Sequence, residues 1–324
     1  MPVPESLTRA TAVVVNFNLP EMTRRCVEAL IGDGLPPERI VIVENGSEAS
    51  SVELITAAFP DSSLLILEKN IGYARAANRG AALQPADTYF FVNNDAFVEQ
   101  PGTLERLAVA LDRPGVGIVV PRLLNEDKTL QRNAVPLLTP LVALALATGM
   151  SRFIPNRLQP FWSTWWDHSA SQVVAAARGA VLGVRADCWN TLGGWMEEDW
   201  MFGEDLDLSW QASKLGWKTW FQHDAVFVHL GHATISVDRE RMRLTSTATR
   251  RVIERALPPS RAAVSLAMMS SGHAARAVAF RAAGKREASD CAVTAARAYL
   301  PFVRPNDPAP KPVPAVAGPE SGPR

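Results

Sequence analysis

The chain has 324 residues, roughly twice the ~150-residue domain prior, so one large α/β domain with additions, or two domains, is expected. With 47% hydrophobic and 20% charged residues it can bury a sizeable core, which excludes a fibrous or wholly disordered chain. Lysine plus arginine equals aspartate plus glutamate at 33 each, so overall charge gives no sign of nucleic-acid binding. Cys26, Cys188 and Cys291 lie far apart and form no CxxC pair, against a disulfide framework or zinc ribbon and in favour of a reducing cytosol. The N-terminus carries no basic-then-apolar leader, and no stretch reaches the ~18 apolar residues of a membrane span. The nearest, PLLTPLVALALATGM from Pro136, is interrupted by Pro140 and Gly149. A cytoplasmic protein is expected.

The first hundred residues alternate strand and helix. TAVVVNF, Thr11 to Phe17, is the continuous apolar run of a parallel strand buried on both faces. Pro20 then opens a helix with Met22, Cys26, Ala29 and Leu30 on one side. RIVIVENGS is a second strand ending in a turn at Asn45-Gly46-Ser47, followed by a helix through Val52, Ile55 and Ala58. SLLILE is a third strand. In NIGYARAANRGAAL a glycine-containing loop runs into an alanine-rich helix, and TYFFVNND is a fourth strand. Single helices between strands imply right-handed crossovers and an open parallel sheet, whose ligands bind beyond the carboxyl ends of the strands. Those ends carry Asn16 and Asn18, Glu44 and Asn45, then Asn93, Asn94 and Asp95. Such clustering points to a functional site; solvated turns are the plain alternative.

Further along, EDLDLSWQASKLGWK reads as a helix opened by Glu204 and Asp205, with Leu208, Ala212 and Leu215 on one side and Gly216 as its stop. Its acidic first turn also suits the helix dipole, which by itself accounts for one carboxylate. Asp207 reads as a helix-surface residue, and Glu197, Glu198 and Asp199 as an acidic loop without assigned chemistry. All nine tryptophans fall between Trp162 and Trp220; Trp210 is expected in the core. Trp162, Trp165 and Trp166 suit packing, sugar faces or a membrane interface. From Arg239 to Arg304 thirteen lysines and arginines face four acids, in segments (239–257 and 261–299) that read as helical. These basic helices either lie on an anionic membrane surface or solvate helices packed on the rest of the chain. The last 24 residues hold eight prolines and read as a disordered tail.

VVVNFN, IVENGS, NIGYARAANRG, VNND and GGWMEEDWMFGEDLDLSWQ stand in an order that resembles glycosyltransferase family 2, the inverting enzymes of the GT-A fold, and within it the bacterial rhamnosyltransferase-like branch. The likeness runs from about Ala12 to His229; no single motif decides it, but five occur in order. It implies an α/β, Rossmann-like, open and mostly parallel sheet flanked by helices, with a C-terminal helical extension. The corresponding division is a catalytic domain at 1–238 (a nucleotide-binding half, 1–100, and an acceptor-binding half, 101–238), a basic helical extension at 239–300 and a tail at 301–324. The donor implied is a nucleotide-diphosphate sugar, with dTDP-rhamnose favoured by the resemblance alone, and the acceptor a glycan or polyprenyl-linked hydroxyl. A nucleic-acid partner is not expected.

The resemblance also assigns roles. Phe17 and Asn18 match the aromatic-Asn pair that lines the nucleoside pocket. Glu44, where the family usually has aspartate, would accept the imide N–H of a uracil or thymine ring. Asn70, Gly72 and Asn78 match the loop that approaches the nucleotide, with Arg75 on the first turn of the next helix as a phosphate contact or a solvated charge. Asn93-Asn94-Asp95 occupies the Asp-x-Asp position, where a hard divalent cation bridges carboxylate and diphosphate. Its first aspartate is replaced by Asn93, so Mg²⁺ or Mn²⁺ would be held mainly through Asp95, with Asn94 beside the nucleotide and His229 completing the metal or diphosphate site. Asp205 is the expected general base and Glu204 its neighbour orienting acceptor or loop. Trp195, in the Gly-Gly-aromatic turn, is expected to stack on the acceptor sugar. Two other functions fit parts of this pattern. A sugar-nucleotide nucleotidyltransferase would want a glycine-rich first strand end, which VVVNFNLPE lacks. An inactive carbohydrate-binding or scaffold protein is favoured by Asn93 and opposed by the Glu204-Asp205 pair.

Overall fold

The computed structural model describes residues 4–162, 166–198, 202–231 and 239–300. Trp165, Asp199 and the proline-rich tail lie outside the described residues.

The first four strands form where the apolar runs placed them: β1 (Ala10–Asn16), β2 (Ile40–Asn45), β3 (Ser63–Leu67) and β4 (Thr88–Asn93). Helices α1 (Pro20–Gly32), α2 (Ala49–Ala58) and α3 (Tyr73–Leu83) connect them. β1 pairs in parallel with β2 and β4, and β2 with β3. The chain continues through β5 (Ala96–Val98), α4 (Thr103–Leu111), β6 (Val116–Leu124), α5 (Pro140–Thr148), β7 (Val181–Arg185), α6 (Ala186–Leu192), α7 (Glu204–Lys214) and β8 (Lys218–His229). The strand order is β3-β2-β1-β4-β7-β6-β8-β5.

The sheet is mixed because β7 runs antiparallel to both of its neighbours. That reversal positions the site. Val181, at the start of β7, pairs with Val92 near the end of β4, so the residues preceding β7 lie beside those following β4. β8 pairs antiparallel with β5, setting His229 opposite Ala96. Residues far apart in sequence therefore meet at one end of the sheet.

Both faces of the sheet are covered. Phe90 and Phe91, adjacent on β4, point to opposite faces and enter separate cores, one with Leu30, Leu104 and Phe227, the other with Val43, Ala77 and Phe221. The alanine richness of α3 follows from close packing. A Cβ on Gly80 would lie 2.7 Å from Val13 and 2.8 Å from Val43, nearer than side chains approach.

Three further helices follow: α8 (Arg239–Ala256), α9 (Pro259–Ala282) and α10 (Arg286–Ala298). The helical run expected over 261–299 is broken at Gly284, whose φ of +74° a helix cannot accommodate. These helices are seated on the preceding α/β part. Val252, Ile253, Leu266 and Tyr299 bury themselves against Ala143 of α5 and Trp210 of α7 in a third core. Burying such aliphatic side chains contributes about 1.5–3 kcal/mol each, enough to hold the extension in place. Trp210 is thus a core residue as expected. Asp207, read as a surface residue, is instead buried and faces Arg255 of α8 (Nε to Oδ1 3.4 Å), because α8 covers that side of α7. Among the described residues no helix is long and apolar enough to cross a membrane. Pro140 starts α5, and Gly149, at φ +78°, stops it after nine residues.

Candidate functional site

At the ends of β1 and β2 a buried polar hub closes the sheet. Asn16 donates through Nδ2 to both carboxylate oxygens of Glu44 (2.9 and 3.0 Å) and to Ser51 Oγ (2.9 Å). Its Oδ1 accepts from the Leu19 N–H (3.1 Å) and from Asn94 Nδ2 (3.3 Å), and Asn94 also donates to Thr23 Oγ1 (3.1 Å). Asn18 sits at φ +54°, a conformation asparagine tolerates; its N–H donates to Ser47 Oγ (3.1 Å) and its Oδ1 accepts from the Glu48 N–H (2.8 Å). Glu44 is fully buried beneath this hub. Both of its oxygens accept from Asn16, which fixes the strand end on which Phe17 and Asn18 stand.

The 70–72 loop is locked in the same manner. Asn70 Oδ1 accepts from the Gly72 N–H (3.0 Å) and from Asn45 Nδ2 (3.2 Å), while Asn45 Oδ1 accepts from the Ile71 N–H (3.0 Å). Gly72, at φ +89°, turns the chain into α3. Asn78, expected beside the nucleotide, is committed elsewhere. It donates to the Trp195 carbonyl (2.8 Å) and to Glu197 Oε1 (2.8 Å), and accepts from the Trp195 N–H (2.9 Å). It therefore pins the Gly193–Trp195 turn to α3. Arg75 stays half-exposed on the first turn of α3, 3.8 Å from Glu197.

Asp95 follows β4 and His229 ends β8, and the sheet brings them together with His229 Nε2 3.2 Å from Asp95 Oδ1. Gly231 N–H donates to Asp95 Oδ2 (3.2 Å). Burial is the largest influence on the Asp95 carboxyl and opposes ionisation. The hydrogen bond and charge of His229, with the Gly231 N–H, outweigh it, so the carboxyl titrates below its ordinary range. Gln131, which the sequence gave no reason to single out, orients the imidazole. Its Nε2 donates to Asn125 Oδ1 (2.9 Å) and the His229 carbonyl (3.2 Å), which leaves Oε1 to receive His229 Nδ1–H (2.6 Å). With the Nδ1 proton so placed, Nε2 and the Asp95 carboxylate face one another and require a cation or a second proton between them. A carboxylate oxygen and an imidazole nitrogen are a donor set that fits Mn²⁺ or Mg²⁺ whose remaining ligands are phosphate oxygens and water. No cluster of three or more His, Cys, Asp or Glu groups occurs among the described residues, so these by themselves offer such an ion an incomplete shell.

Across β4 and β7, Asp205 opens α7. Gly203, at φ +86°, turns the chain into the helix against Ala248 of α8, 3.1 Å from where its Cβ would be. Asp205 Oδ2 accepts from the Gly179 N–H (2.8 Å) and Oδ1 from the Leu206 N–H (2.7 Å). Burial, opposed by these two N–H groups and by the Arg178 charge, pushes the Asp205 carboxyl above its ordinary range. Ionising Asp205 therefore costs folding stability, and the cost grows as pH rises through its raised pKa. Gly179 must be glycine: a Cβ there would run into Leu182 and stand 3.1 Å from Asp205 Cβ. Glu204 is half-buried beside Asp205.

Trp195 lies nearby, but its ring is 2% exposed, packed among Tyr73, Phe91 and Trp189. No indole face is open for stacking on a sugar. Trp166 is likewise core, against His168 and Phe221.

The structure thus gathers Phe17, Asn18, the 70–72 loop, Asn94, Asp95, His229, Glu204 and Asp205 at one end of the sheet. Glu44 and Asn78 are hydrogen-bonded to Asn16 and to the Trp195 backbone, and the Trp195 ring is packed inside. Asn16, Gly179 and Gln131 belong to the site as well. Asn16 was legible as a polar strand end, whereas Gly179 and Gln131 carry no local signal.

Comparison with known proteins agrees with this geometry. Residues 11–183 match the family model described as "Glycosyl transferase family 2". Over 214 residues the chain is 26% identical to the N-acetylglucosaminyl-diphospho-decaprenol L-rhamnosyltransferase of Mycobacterium tuberculosis, covering 61% of this chain and 68% of that protein. It is 24% identical over 221 residues to the O-antigen biosynthesis protein RfbC of Myxococcus xanthus, covering 64% of this chain and 16% of the larger protein. In fold it is similar to the mannosyltransferase PcManGT of Pyrobaculum calidifontis, solved with GDP-Man and Mn²⁺: TM-score 0.56, 15% identity, 89% of this chain and 86% of that one. GalNAc-T7, solved with UDP, GalNAc and Mn²⁺, gives a TM-score of 0.54 at 16% identity, covering 78% of this chain and 48% of that one.

Proposed function

The chain belongs to glycosyltransferase family 2, and from that premise we propose that it is an inverting enzyme moving a hexose from a nucleotide-diphosphate sugar to a hydroxyl of a glycan or polyprenyl-linked acceptor. The rhamnosyltransferase relatives favour dTDP-rhamnose as donor and a diphospho-polyprenyl sugar as acceptor. In this reading residues 1–238 are the catalytic domain. The observation that carries it is the convergence of Asp95 with His229 on one side, and of Asp205 on the other, at the carboxyl end of a GT-A-like sheet.

Each residue then has a task. Phe17, Asn18 and the Asn70–Gly72 loop receive the nucleoside on a rim held rigid by Asn16 and Glu44. Arg75 is free enough to meet phosphate. Asp95 and His229 would hold a divalent cation, which neutralises charge on the departing diphosphate. Asp205 accepts the acceptor's hydroxyl proton as the new oxygen–carbon bond forms and the bond from the anomeric carbon to the diphosphate oxygen breaks. Its raised pKa makes it a stronger base than an ordinary carboxylate. Glu204 orients the acceptor.

The acceptor-side surface supports membrane contact. Phe153 is 88% exposed, and Leu141, Met150, Leu158 and Phe161 also face outward on α5 and the turns after it. Arg152 and Arg157 interleave with them, and the basic helices α8 to α10 pack alongside. An anionic bilayer presenting a polyprenyl acceptor matches that combination.

Incubation with UDP-, dTDP- and GDP-sugars, with and without Mn²⁺, tests the reading. Nucleoside diphosphate release is expected. Pyrophosphate exchange would identify a nucleotidyltransferase, and silence with every donor a carbohydrate-binding protein.

A further inference from the structure

One arginine beside the base is left without a counter-charge. Arg178 is exposed, and its guanidinium has no ion pair or hydrogen-bond partner among the described residues. By contrast, Arg185 at the far end of β7 lies 3.4 Å from Asp187, and Arg75 on α3 lies 3.8 Å from Glu197. The backbone fixes where Arg178 stands. Just before β7 the Ala180 carbonyl accepts from the Asn93 N–H (2.8 Å) and the Gly179 N–H donates to Asp205 Oδ2 (2.8 Å). The Arg178 N–H donates to the Asn133 carbonyl (2.7 Å). Followed toward its N-terminus, this stretch passes from the end of β4, across the base, to Arg178 one residue beyond it.

Location and chemistry narrow the ligand. The charge of Arg178 acts on Asp205 and on Tyr299, which caps α10 and shares a core with Ala143 of α5. The outer side of α5 and the turn after it carry the exposed Leu141, Met150 and Phe153. Arg178 therefore stands between the base and the apolar surface. A lipid-linked acceptor presents its groups in the same order: the hydroxyl to be deprotonated, the rest of its sugar, a diphosphate, then the chain. A guanidinium is always charged and grips phosphate oxygens through two parallel N–H bonds, which suits the third of these groups. The donor's diphosphate is met elsewhere, where His229 and Asp95 face one another at 3.2 Å.

We propose that the Arg178 guanidinium binds the diphosphate of a lipid-linked acceptor and so places the acceptor hydroxyl against Asp205. This rests on the reading of the cleft as a glycosyltransferase site. It deepens that reading by naming the residue that tells a diphosphate-linked acceptor from a plain glycan.

The test is Arg178→Met, which removes the charge and keeps an apolar stem, with Arg185→Met as the matched loss of charge at the other end of β7. Calorimetry in EDTA, which keeps divalent cations off the donor side, compares farnesyl diphosphate, farnesol and inorganic pyrophosphate. The unaltered chain should bind farnesyl diphosphate. Arg178→Met should weaken it roughly tenfold, and Arg185→Met should leave it within about twofold. Farnesol, which carries no phosphate, should respond to neither change. No binding of farnesyl diphosphate, unchanged affinity in Arg178→Met, or an equal loss in Arg185→Met would each overturn the assignment. Pyrophosphate binding as tightly as farnesyl diphosphate would also overturn it, since the site would then be one for a free anion. A second titration, with Mn²⁺ and UDP, dTDP or GDP, separates acceptor from donor. Arg178→Met should leave the nucleotide that the unaltered chain binds within about twofold; a tenfold loss there would move Arg178 to the donor's diphosphate and sink the proposal. If the unaltered chain bound no nucleotide at all, the nucleotide-sugar reading itself would fail, a separate outcome from any Arg178 effect on farnesyl diphosphate.

Discussion

At the carboxyl ends of β1 and β2, Asn16, Asn18, Glu44, Asn45, Asn70 and Asn94 bond to one another or to neighbouring backbone and hydroxyl groups. Between β4, β7 and α7 the same sheet holds the half-buried Asp205 carboxylate, whose ionisation desolvation opposes. In the first region each of these polar side chains has a protein partner; in the second a carboxylate is held against its own ionisation. A satisfied polar network stiffens a rim at little net cost. A carboxylate held against its own ionisation costs stability, and such cost is tolerated where a reaction uses it. Asp95 stands between the two regimes, ionised readily because His229 faces it.

Three measurements sharpen this contrast, beginning with the largest effect. Asp95→Ala should abolish transfer together with Mn²⁺-dependent donor binding. Asp205→Asn should lower kcat by roughly 10²–10⁴-fold while donor affinity stays within a few-fold. Because the base must be ionised and its pKa is raised, the acidic limb of the kcat–pH profile should lie above the ordinary carboxylate range and vanish in Asp205→Asn. Near-normal kcat in Asp205→Asn with loss in Glu204→Gln would exchange the two roles. If neither mattered, neither residue would be the base.

Asn16→Ala attacks the first region instead. It leaves the buried Glu44 carboxylate without its amide partner, so chemical denaturation should show a loss of about 2 kcal/mol or more. A change of under ~0.5 kcal/mol would mean that the hub is not structural, and the contrast would fall. The smallest effect concerns the surface. Phe153→Ser combined with Met150→Ser should reduce co-sedimentation with anionic vesicles a few-fold without altering turnover on a water-soluble acceptor. Recovery that was equal with neutral and anionic vesicles, and insensitive to salt, would remove the membrane from the proposal.

Much of the fold was legible locally. Uninterrupted apolar runs at 12–15, 40–43 and 89–92 suit burial on both faces, and Pro20, Pro140, Gly149 and Gly216 mark ends where backbone sterics require them. The β7 reversal was not legible, because VLGVR is compatible with either strand direction and pairing is a non-local choice. The break at Gly284 escaped because a single glycine in an alanine-rich run is tolerated as readily as it terminates. Among the expected site residues, motif order named Asp95, His229 and Asp205, which the fold brings to one end of the sheet. It gave no sign of the protein partners that Glu44 and Asn78 take or of the burial of the Trp195 ring, since a motif carries no record of which way a side chain turns once its neighbours are in place.

By itself, the sequence determined the parallel βαβ half, the polar strand ends and the acidic start of α7. Those features are dictated by hydrophobic period, turn chemistry and helix-end electrostatics, all written within a dozen or so residues. Only the tertiary structure decided that His229 meets Asp95 across 134 positions, that Gly179 N–H holds Asp205, and that Asp207 is covered by Arg255. Each of these depends on which strand lies beside which and on where α8 comes to rest. Such choices are set by the summed burial of many side chains, and no single segment encodes them.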